Sequence, residues 1–257
     1  MNLPTHSPRP ASGALTRTGG FLSGFTHTLQ PYIGCTFACA YCYVKALNVH
    51  RFHKPAMAWG DYVHPRPGIV EKLRQQMARF ARRGELEQLA IFMSSVTDPY
   101  QGLERRWRLA RGCLDVFLEY PPGLLIVQTR SPVVADDFAR LRQLGARCWL
   151  NFTLETDRDD VRAAITPRCP SVAQRLRTLD SARAGGLNVQ VTVSPCLPYS
   201  SVENFGRLLM AHGRRIIVDS YASGDGQGGR RTARTEIPAR YTELGWGDWH
   251  AEEEARM

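Results

Sequence analysis

The sequence predicts an α/β fold, a parallel sheet curled into an open, partial (β/α)6 barrel of the TIM type. Three observations predict it. Short apolar runs alternate with segments of helical period along most of the chain. Pro132 opens one of these helical segments and Gly185-Gly186 closes another. The length of 257 residues suits one large α/β domain or two small ones. Such alternation argues for parallel strands with helices packed outside, and right-handed crossovers curl a sheet of this kind.

The elements follow in order. Phe25–Gln30 reads as a first strand entering a cysteine-rich loop. Gly68–Arg82 reads as a helix, with Ile69, Leu73, Met77 and Phe80 on one face. Leu89–Ser94 is a short apolar run, hence a buried strand. Leu103, Trp107, Ala110, Leu114 and Phe117 mark the face of the next helix. Leu124–Gln128 is a strand, and Pro132–Leu144 a helix opened by proline. Trp149–Leu154 is a strand. Val172, Leu176 and Leu179 mark a helix that stops at Gly185-Gly186. Val189–Val193 alternates as a strand, Val202–His212 is helical, and Ile216–Val218 is a last strand.

The ends differ from this middle. Residues 1–20 are rich in Pro, Ser, Thr and Gly and read as a flexible leader without the apolar core of a signal peptide. Residues 21–221 form the expected barrel. Residues 222–257 read as a Gly/Arg-rich linker, with Ser223–Gly229 flexible by composition, followed by a tail carrying Trp246, Trp249 and an acidic end. That tail is expected either to cap the open side of the barrel, to engage a partner, or to hang as a polar extension.

Composition sets limits. A hydrophobic content of 43% is ordinary for a globular protein. No apolar run is long enough to span a membrane, and the expected compartment is the cytoplasm. The net charge of +9 points modestly towards a polyanionic partner such as nucleic acid. Only Lys45, Lys54 and Lys72 are lysines, so the basic charge is nearly all arginine, a bias that a GC-rich coding sequence also produces.

The chemistry is concentrated in Tyr32-Ile-Gly-Cys-Thr-Phe-Ala-Cys-Ala-Tyr-Cys-Tyr43. Cys35, Cys39 and Cys42 stand as C-x3-C-x2-C with no fourth cysteine nearby. Three thiolates suit a four-iron cluster with one iron left open, as catalytic zinc keeps an open position. Zinc completed by His50 or His53 is the alternative, although zinc sites usually pair their cysteines. Seven cysteines, an odd number, do not suit a disulfide framework.

The triplet, with Tyr41 just before its last cysteine, resembles the signature of the radical S-adenosylmethionine (radical SAM) superfamily. Further segments resemble its spore photoproduct lyase-like branch: Ser94-Ser-Val-Thr-Asp-Pro-Tyr100, Gln128-Thr-Arg-Ser131, Asn151-Phe-Thr-Leu-Glu155, Thr166-Pro-Arg-Cys-Pro-Ser171 with Gln174-Arg-Leu176, and Val193-Ser-Pro-Cys-Leu-Pro198. The resemblance runs from about residue 28 to 221. It implies a partial (β/α)6 barrel with its chemistry at the carboxyl ends of the strands. It also implies a 4Fe-4S cluster on Cys35, Cys39 and Cys42, with SAM chelated at the open iron. One-electron reduction, from a donor such as flavodoxin or ferredoxin, would release a 5′-deoxyadenosyl radical that takes a hydrogen atom from substrate.

Roles follow for the strand-end residues. Tyr41 offers an aromatic face to adenine. Ser94, Ser95 and Thr97 carry short hydroxyls suited to the methionyl amino group or ribose. Arg130, where the lyase itself has lysine, suits a carboxylate. Thr153 and Glu155 point from the fourth strand, Glu155 towards ribose hydroxyls. Asp98, Asp219 and Tyr221 are candidates to face substrate. Helix caps and surface ion pairs are the ordinary alternatives.

One departure stands out. The lyase is expected to use a cysteine near the end of its second strand as hydrogen donor, where this chain has Met93 and Ser94. Cys113 and Cys148 read as packing residues, while Cys169 and Cys196 fall near strand-end loops. The expected function is therefore radical SAM chemistry on an open substrate question. Lesion-bearing DNA is favoured by the resemblance and the charge. A small molecule or peptide is the first alternative, and a zinc- or cluster-stabilised nucleic-acid-binding protein without turnover is the second.

Overall fold

The structure is a computed structural model that describes residues 6–19, 22–47, 50, 57–220, 225–247 and 249. Seven strands form one sheet in the spatial order β1 (Leu15–Arg17), β2 (His27–Leu29), β5 (Ala90–Met93), β6 (Leu124–Thr129), β7 (Cys148–Thr153), β8 (Val189–Val193) and β9 (Arg215–Val218). From β2 onwards every neighbouring pair is parallel, and β1 runs antiparallel to β2. Among the described residues the sheet does not close, because β1 and β9 are its two edges. A separate antiparallel pair, β3 (Tyr32–Ile33) and β4 (His64–Pro65), lies apart from the sheet.

The six parallel strands are those the apolar runs predicted. Parallel sheets are covered on both faces, and here the two faces have different chemistry. Ile91, Met93, Leu125, Val127, Leu150, Phe152, Val189, Val191 and Val193 belong to the main hydrophobic core. The alternate residues line a cavity instead, among them Ile126, Gln128, Asn151, Thr153, Gln190 and Thr192. The strand period of two produces this division. Gln128, Asn151, Gln190 and Arg215 are register partners on four adjacent strands and make one polar rung across the sheet.

Helix α1 (Ile69–Arg82) buries Ile69, Leu73 and Met77. The helical face expected from Leu103 to Phe117 is split into α2 (Glu104–Trp107) and α3 (Leu109–Glu119) at Arg108, whose φ is 50°. Glu104 explains the break. Its buried carboxylate accepts from the amides of Ala110 at 3.1 Å and Arg111 at 3.0 Å, capping α3, and also from the Tyr32 hydroxyl. The chain from Pro132 begins as a 3-10 turn, Pro132–Asp137, and becomes α-helical only in α4 (Phe138–Gln143).

Asp159–Ile165 forms α5, which the periodicity did not indicate. Helix α6 (Val172–Ala184) opens with a reciprocal capping box between Ser171 and Gln174, and its stop at Gly185 is the expected one. Helix α7 (Val202–His212) is capped by Ser201. The last described helix, α8 (Ile237–Glu243), lies within the expected tail.

Part of the expected leader belongs to the fold. Strand β1 pairs with β2, and Ala14 and Leu15 donate to Gln76 Oε1 at 3.2 and 3.0 Å. Upstream, the amide of Arg9 donates to the Pro65 carbonyl at 2.8 Å.

Candidate active site

The cysteine loop leaves β3 at Gly34, whose φ is +87°. A Cβ there would lie 2.5 Å from the Tyr62 carbonyl oxygen and 2.6 Å from its ring, so this turn needs glycine. Gln101 holds the loop to the segment after β5. Its Oε1 accepts from the Thr36 amide at 2.7 Å, and its Nε2 donates to Thr97 Oγ1 at 3.1 Å and the Asp98 carbonyl at 2.9 Å. Thr97 in turn donates to the Gly34 carbonyl. Two loops far apart in sequence are thereby fixed as one unit at the carboxyl ends of the strands.

Cys35, Cys39 and Cys42 all line one cavity of about 470 Å³, within the usual range for small-molecule sites. Burial, Asp98 and the neighbouring thiols push Cys35 far up from its ordinary value. Burial and Cys39 push Cys42 up to about 12. Cys39 behaves differently and falls to about 6: a hydrogen bond from Cys169 stabilises its thiolate, burial opposes, and Arg130 adds to the lowering. Cys169 Sγ is 3.8 Å from Cys39 Sγ, and Arg130 Nη1 is 3.3 Å from it.

Arg130 also pairs with Glu155 and reaches the Tyr41 hydroxyl. Tyr41 donates to Glu155 as well. The second Glu155 oxygen faces Arg175 Nη1 at 2.5 Å, with both side chains 1% exposed. Burial alone would raise the Glu155 carboxyl, but Arg130, Arg175 and the Tyr41 hydroxyl outweigh it and hold it at about 2. The structure therefore places Arg130 Nη1 on a protein carboxylate at the wall of the cavity, and Glu155 is engaged on both oxygens. Tyr41 is a wall of the cavity whose hydroxyl belongs to this network.

Two of the expected binding hydroxyls are available. Ser94 Oγ and Thr153 Oγ1 are buried, line the cavity and have no hydrogen-bond partner among the described residues. Ser94 has a φ of 75°, a left-handed conformation that a serine adopts at a cost. Ser95 Oγ accepts from Gln30 at 2.9 Å. Asp98, expected to face substrate, lines the cavity and also braces it. Its carboxylate accepts from Thr129 Oγ1 at 2.7 Å, the Tyr100 amide at 2.8 Å and the Arg130 amide at 3.0 Å. Burial raises it, and those three donors pull it back. Asp219 lines the cavity and is raised by burial. Tyr221 lies outside the described residues.

The residues fit the group that the spacing implies. Three thiols open on one cavity, beside a cation that offsets negative charge and two hydroxyls left without partners. Among the described residues, no three His, Cys, Asp or Glu side chains converge on a single ion, and a four-iron cube spreads its ligands wider than a lone ion does. His50, one of the two histidines considered for zinc, bonds through Nδ1 to the Tyr62 hydroxyl at 2.9 Å. His53 lies outside the described residues.

The described tail covers the cysteine loop. Ile237 and Tyr241 of α8 are buried in a second apolar cluster with Cys35, Phe37, Cys39, Ala40, Tyr41 and Cys169. Lys45 pairs with Glu236 at 2.8 Å, and Trp249 Nε1 donates to the Cys196 carbonyl at 3.3 Å. Asp225 folds the expected linker back, accepting from the amides of Gln227, Gly229, Arg231 and Thr232.

The sequence reading gave no role to Arg175, Gln101 or the Gln128–Asn151–Gln190 rung. Arg175 lay inside a recognised segment, and Gln101 directly follows another. The rung was visible as polar residues alternating with Val and Leu.

The chain is 31% identical over 178 residues to an uncharacterized protein of Acidianus two-tailed virus, covering 66% of this chain and 56% of that protein. It is 24% identical over 189 residues to an uncharacterized protein of Mycobacterium tuberculosis (strain H37Rv), covering 72% of this chain and 54% of that one. The chain thus spans about half the length of the curated relatives it matches. Among solved structures, a spore photoproduct lyase mutant with bound AdoMet and dinucleoside spore photoproduct aligns with a TM-score of 0.65 at 13% identity, over 93% of this chain and 66% of that one. Spore photoproduct lyase complexed with dinucleoside spore photoproduct gives 0.59 at 14% identity, over 80% and 54%. At such identities these alignments establish the shared fold. The Radical SAM superfamily model matches residues 29–210, and with it the open parallel sheet and the cysteine loop at its carboxyl end identify this chain as a member of the radical SAM superfamily, whose enzymes use a 4Fe-4S cluster and S-adenosylmethionine.

Proposed function

We propose that Cys35, Cys39 and Cys42 hold the cluster, and that the adjoining cavity takes SAM and a substrate bearing nucleobases, in the first instance lesion-bearing DNA. One observation carries this reading: the three thiols share a single cavity with the buried, unpartnered hydroxyls of Ser94 and Thr153. When bound, the cluster and SAM supply one-electron cleavage of the sulfonium and abstraction of a hydrogen atom from substrate.

The chain's own residues prepare that chemistry. The three cysteines bind as thiolates, and the Arg130 guanidinium offsets their charge from beside Cys39. Ser94 and Thr153 give their hydroxyls to polar groups of SAM. Tyr41, fixed by Glu155 and Arg130, forms a rigid wall. Asp98 keeps the β5 and β6 loops in register. Helix α8 packs over the cysteine loop and keeps water from that side.

The Gln128–Asn151–Gln190 rung supports the choice of substrate: Asn151 donates to Gln128 at 3.2 Å and accepts from Thr192, and side-chain amides of this kind match the donor and acceptor edges of nucleobases. The net charge of +9 and the fold shared with a lyase bound to a dinucleoside lesion support it too. A one-electron reductant such as flavodoxin or ferredoxin completes the reaction. Residues 21–221 form the catalytic barrel in this reading, and residues 222–257 contribute its cover. The cytoplasm suits seven free cysteines.

The test is 5′-deoxyadenosine release from SAM by anaerobically reconstituted, dithionite-reduced protein, with Cys39→Ala as control. Release abolished by the substitution supports the reading; iron-free protein after reconstitution overturns it. DNA affinity should fall steeply with salt. A second reading, a small molecule or peptide as substrate, is favoured by the mixed lining of Arg215, Asp219 and amides, and predicts binding nearly independent of salt.

A further inference from the structure

The middle cysteine of the triplet has a thiol partner from outside it. Cys169 lies in the loop between α5 and α6, 130 residues on, yet its Sγ is 3.8 Å from Cys39 Sγ. Both side chains are buried, at 5% and 6% exposure. The loop that carries Cys169 is pinned: its amide donates to the Thr166 carbonyl at 2.9 Å, and its carbonyl accepts from Arg162 Nη1 at 3.2 Å. The other three cysteines outside the triplet, Cys113, Cys148 and Cys196, belong to the main core instead.

We propose that Cys39 and Cys169 form a reversible disulfide in the cluster-free protein, a redox modification site that takes a cluster ligand out of use and protects it. The effect on iron uptake rests on Cys39 being a cluster ligand; the disulfide itself does not. The sulfur contact must shorten to a bond of about 2.05 Å, a movement of side chains already facing one another. Cys39 lines the cavity, and Cys169 is not among the lining residues. A small oxidant therefore reaches Cys39 from the cavity, with the second thiol waiting behind it.

With hydrogen peroxide as the oxidant, the chemistry balances. The Cys39 thiolate attacks one peroxide oxygen, the O–O bond breaks, and with one proton the products are a sulfenic acid and water. The Cys169 thiol then displaces the sulfenic hydroxyl, forming the S–S bond and a second water, which takes the thiol proton. The two sulfurs lose two electrons and peroxide gains them. A dithiol such as dithiothreitol reverses the result by thiol–disulfide exchange.

The experiment uses the full chain, freed of iron anaerobically and treated with stoichiometric hydrogen peroxide. Free thiols are then alkylated in denaturant and the protein is cut with chymotrypsin without reductant. Cleavage after Phe37 and Tyr41 separates Cys39 from Cys35 and Cys42, so mass spectrometry identifies the linked pair. The expected result is a Cys39–Cys169 linked peptide, loss of two thiols, and iron uptake that falls severalfold and returns with dithiothreitol. Cys169→Ala should take up iron like the parent before peroxide. Given a second equivalent of peroxide, which the step from sulfenic to sulfinic acid consumes, it should show Cys39 as sulfinic acid and iron uptake that dithiothreitol does not restore, whereas the parent given the same two equivalents recovers. Cys39 linked mainly to Cys35 or Cys42, or a Cys169→Ala protein that recovers as the parent does, overturns the proposal. A Cys39–Cys169 link with unchanged iron uptake supports the disulfide and overturns Cys39 as a ligand.

Discussion

Arg175 reaches Glu155 at 2.5 Å with both side chains 1% exposed, so the carboxylate that anchors the active-site network is itself held from the side away from the cavity. Removing one partner of a buried pair leaves an uncompensated charge. Arg175→Met is expected to lower the stability of the cluster-free protein by about 3 kcal/mol. Urea unfolding checks it, and an unchanged midpoint would show that the pair contributes little.

The same carboxylate gives a pH signature. Glu155 is held at about 2, below its ordinary 4.5. A depressed carboxyl contributes stability that is present above pH 4.5 and lost as pH falls towards 2. The loss amounts to about 3 kcal/mol in all. Urea midpoints of the parent should drop across this window by more than those of Glu155→Gln, whose side chain does not titrate. Parallel profiles would mean that Glu155 is not the group.

The unpartnered hydroxyls separate binding from folding. Thr153→Val removes a buried hydroxyl that has no partner among the described residues, at nearly constant volume. It should stabilise the cluster-free protein by about 1 kcal/mol and weaken SAM binding to the reconstituted protein roughly fivefold to tenfold. Calorimetry for stability and anaerobic equilibrium dialysis for SAM read the two effects independently. A loss of both would assign Thr153 to packing.

Helix α8 should steady the cysteine loop. Ile237 is 1% exposed and packs in the cluster that contains Cys35 and Cys39. Ile237→Ala is expected to cost about 2–4 kcal/mol of local stability. Amide hydrogen exchange should accelerate in residues 35–42 and stay unchanged in β6 and β7. Equal acceleration in all three would mean that α8 supports the whole domain.

Much of the framework was legible because its signals are local. Apolar runs of four to six residues marked β5 to β8, and Val172, Leu176 and Leu179 with the stop at Gly185 marked α6. The cysteine triplet carried its chemistry in its spacing. The missing parts are those decided by distant partners. β1 is only three residues long and exists because β2 offers it an edge. The helix broke at Arg108 because Glu104 turned inward to cap α3, an outcome that periodicity does not encode. Tyr41 meets Glu155 across 114 residues and Cys39 meets Cys169 across 130, so no spacing rule finds either. For the same reason nothing near Arg130 in the sequence shows that Glu155 stands beside it.

The alternation along β6, β7 and β8 has an evolutionary consequence. Because Val127, Leu150 and Val191 hold the helices while Gln128, Asn151 and Gln190 face the cavity, neighbouring codons answer to different selective pressures. Substitutions in the second set can retune what the cavity accepts while the first set keeps the sheet assembled. Descendants of one such scaffold can therefore diverge in substrate by changing alternate positions on three strands, with the cysteine loop untouched.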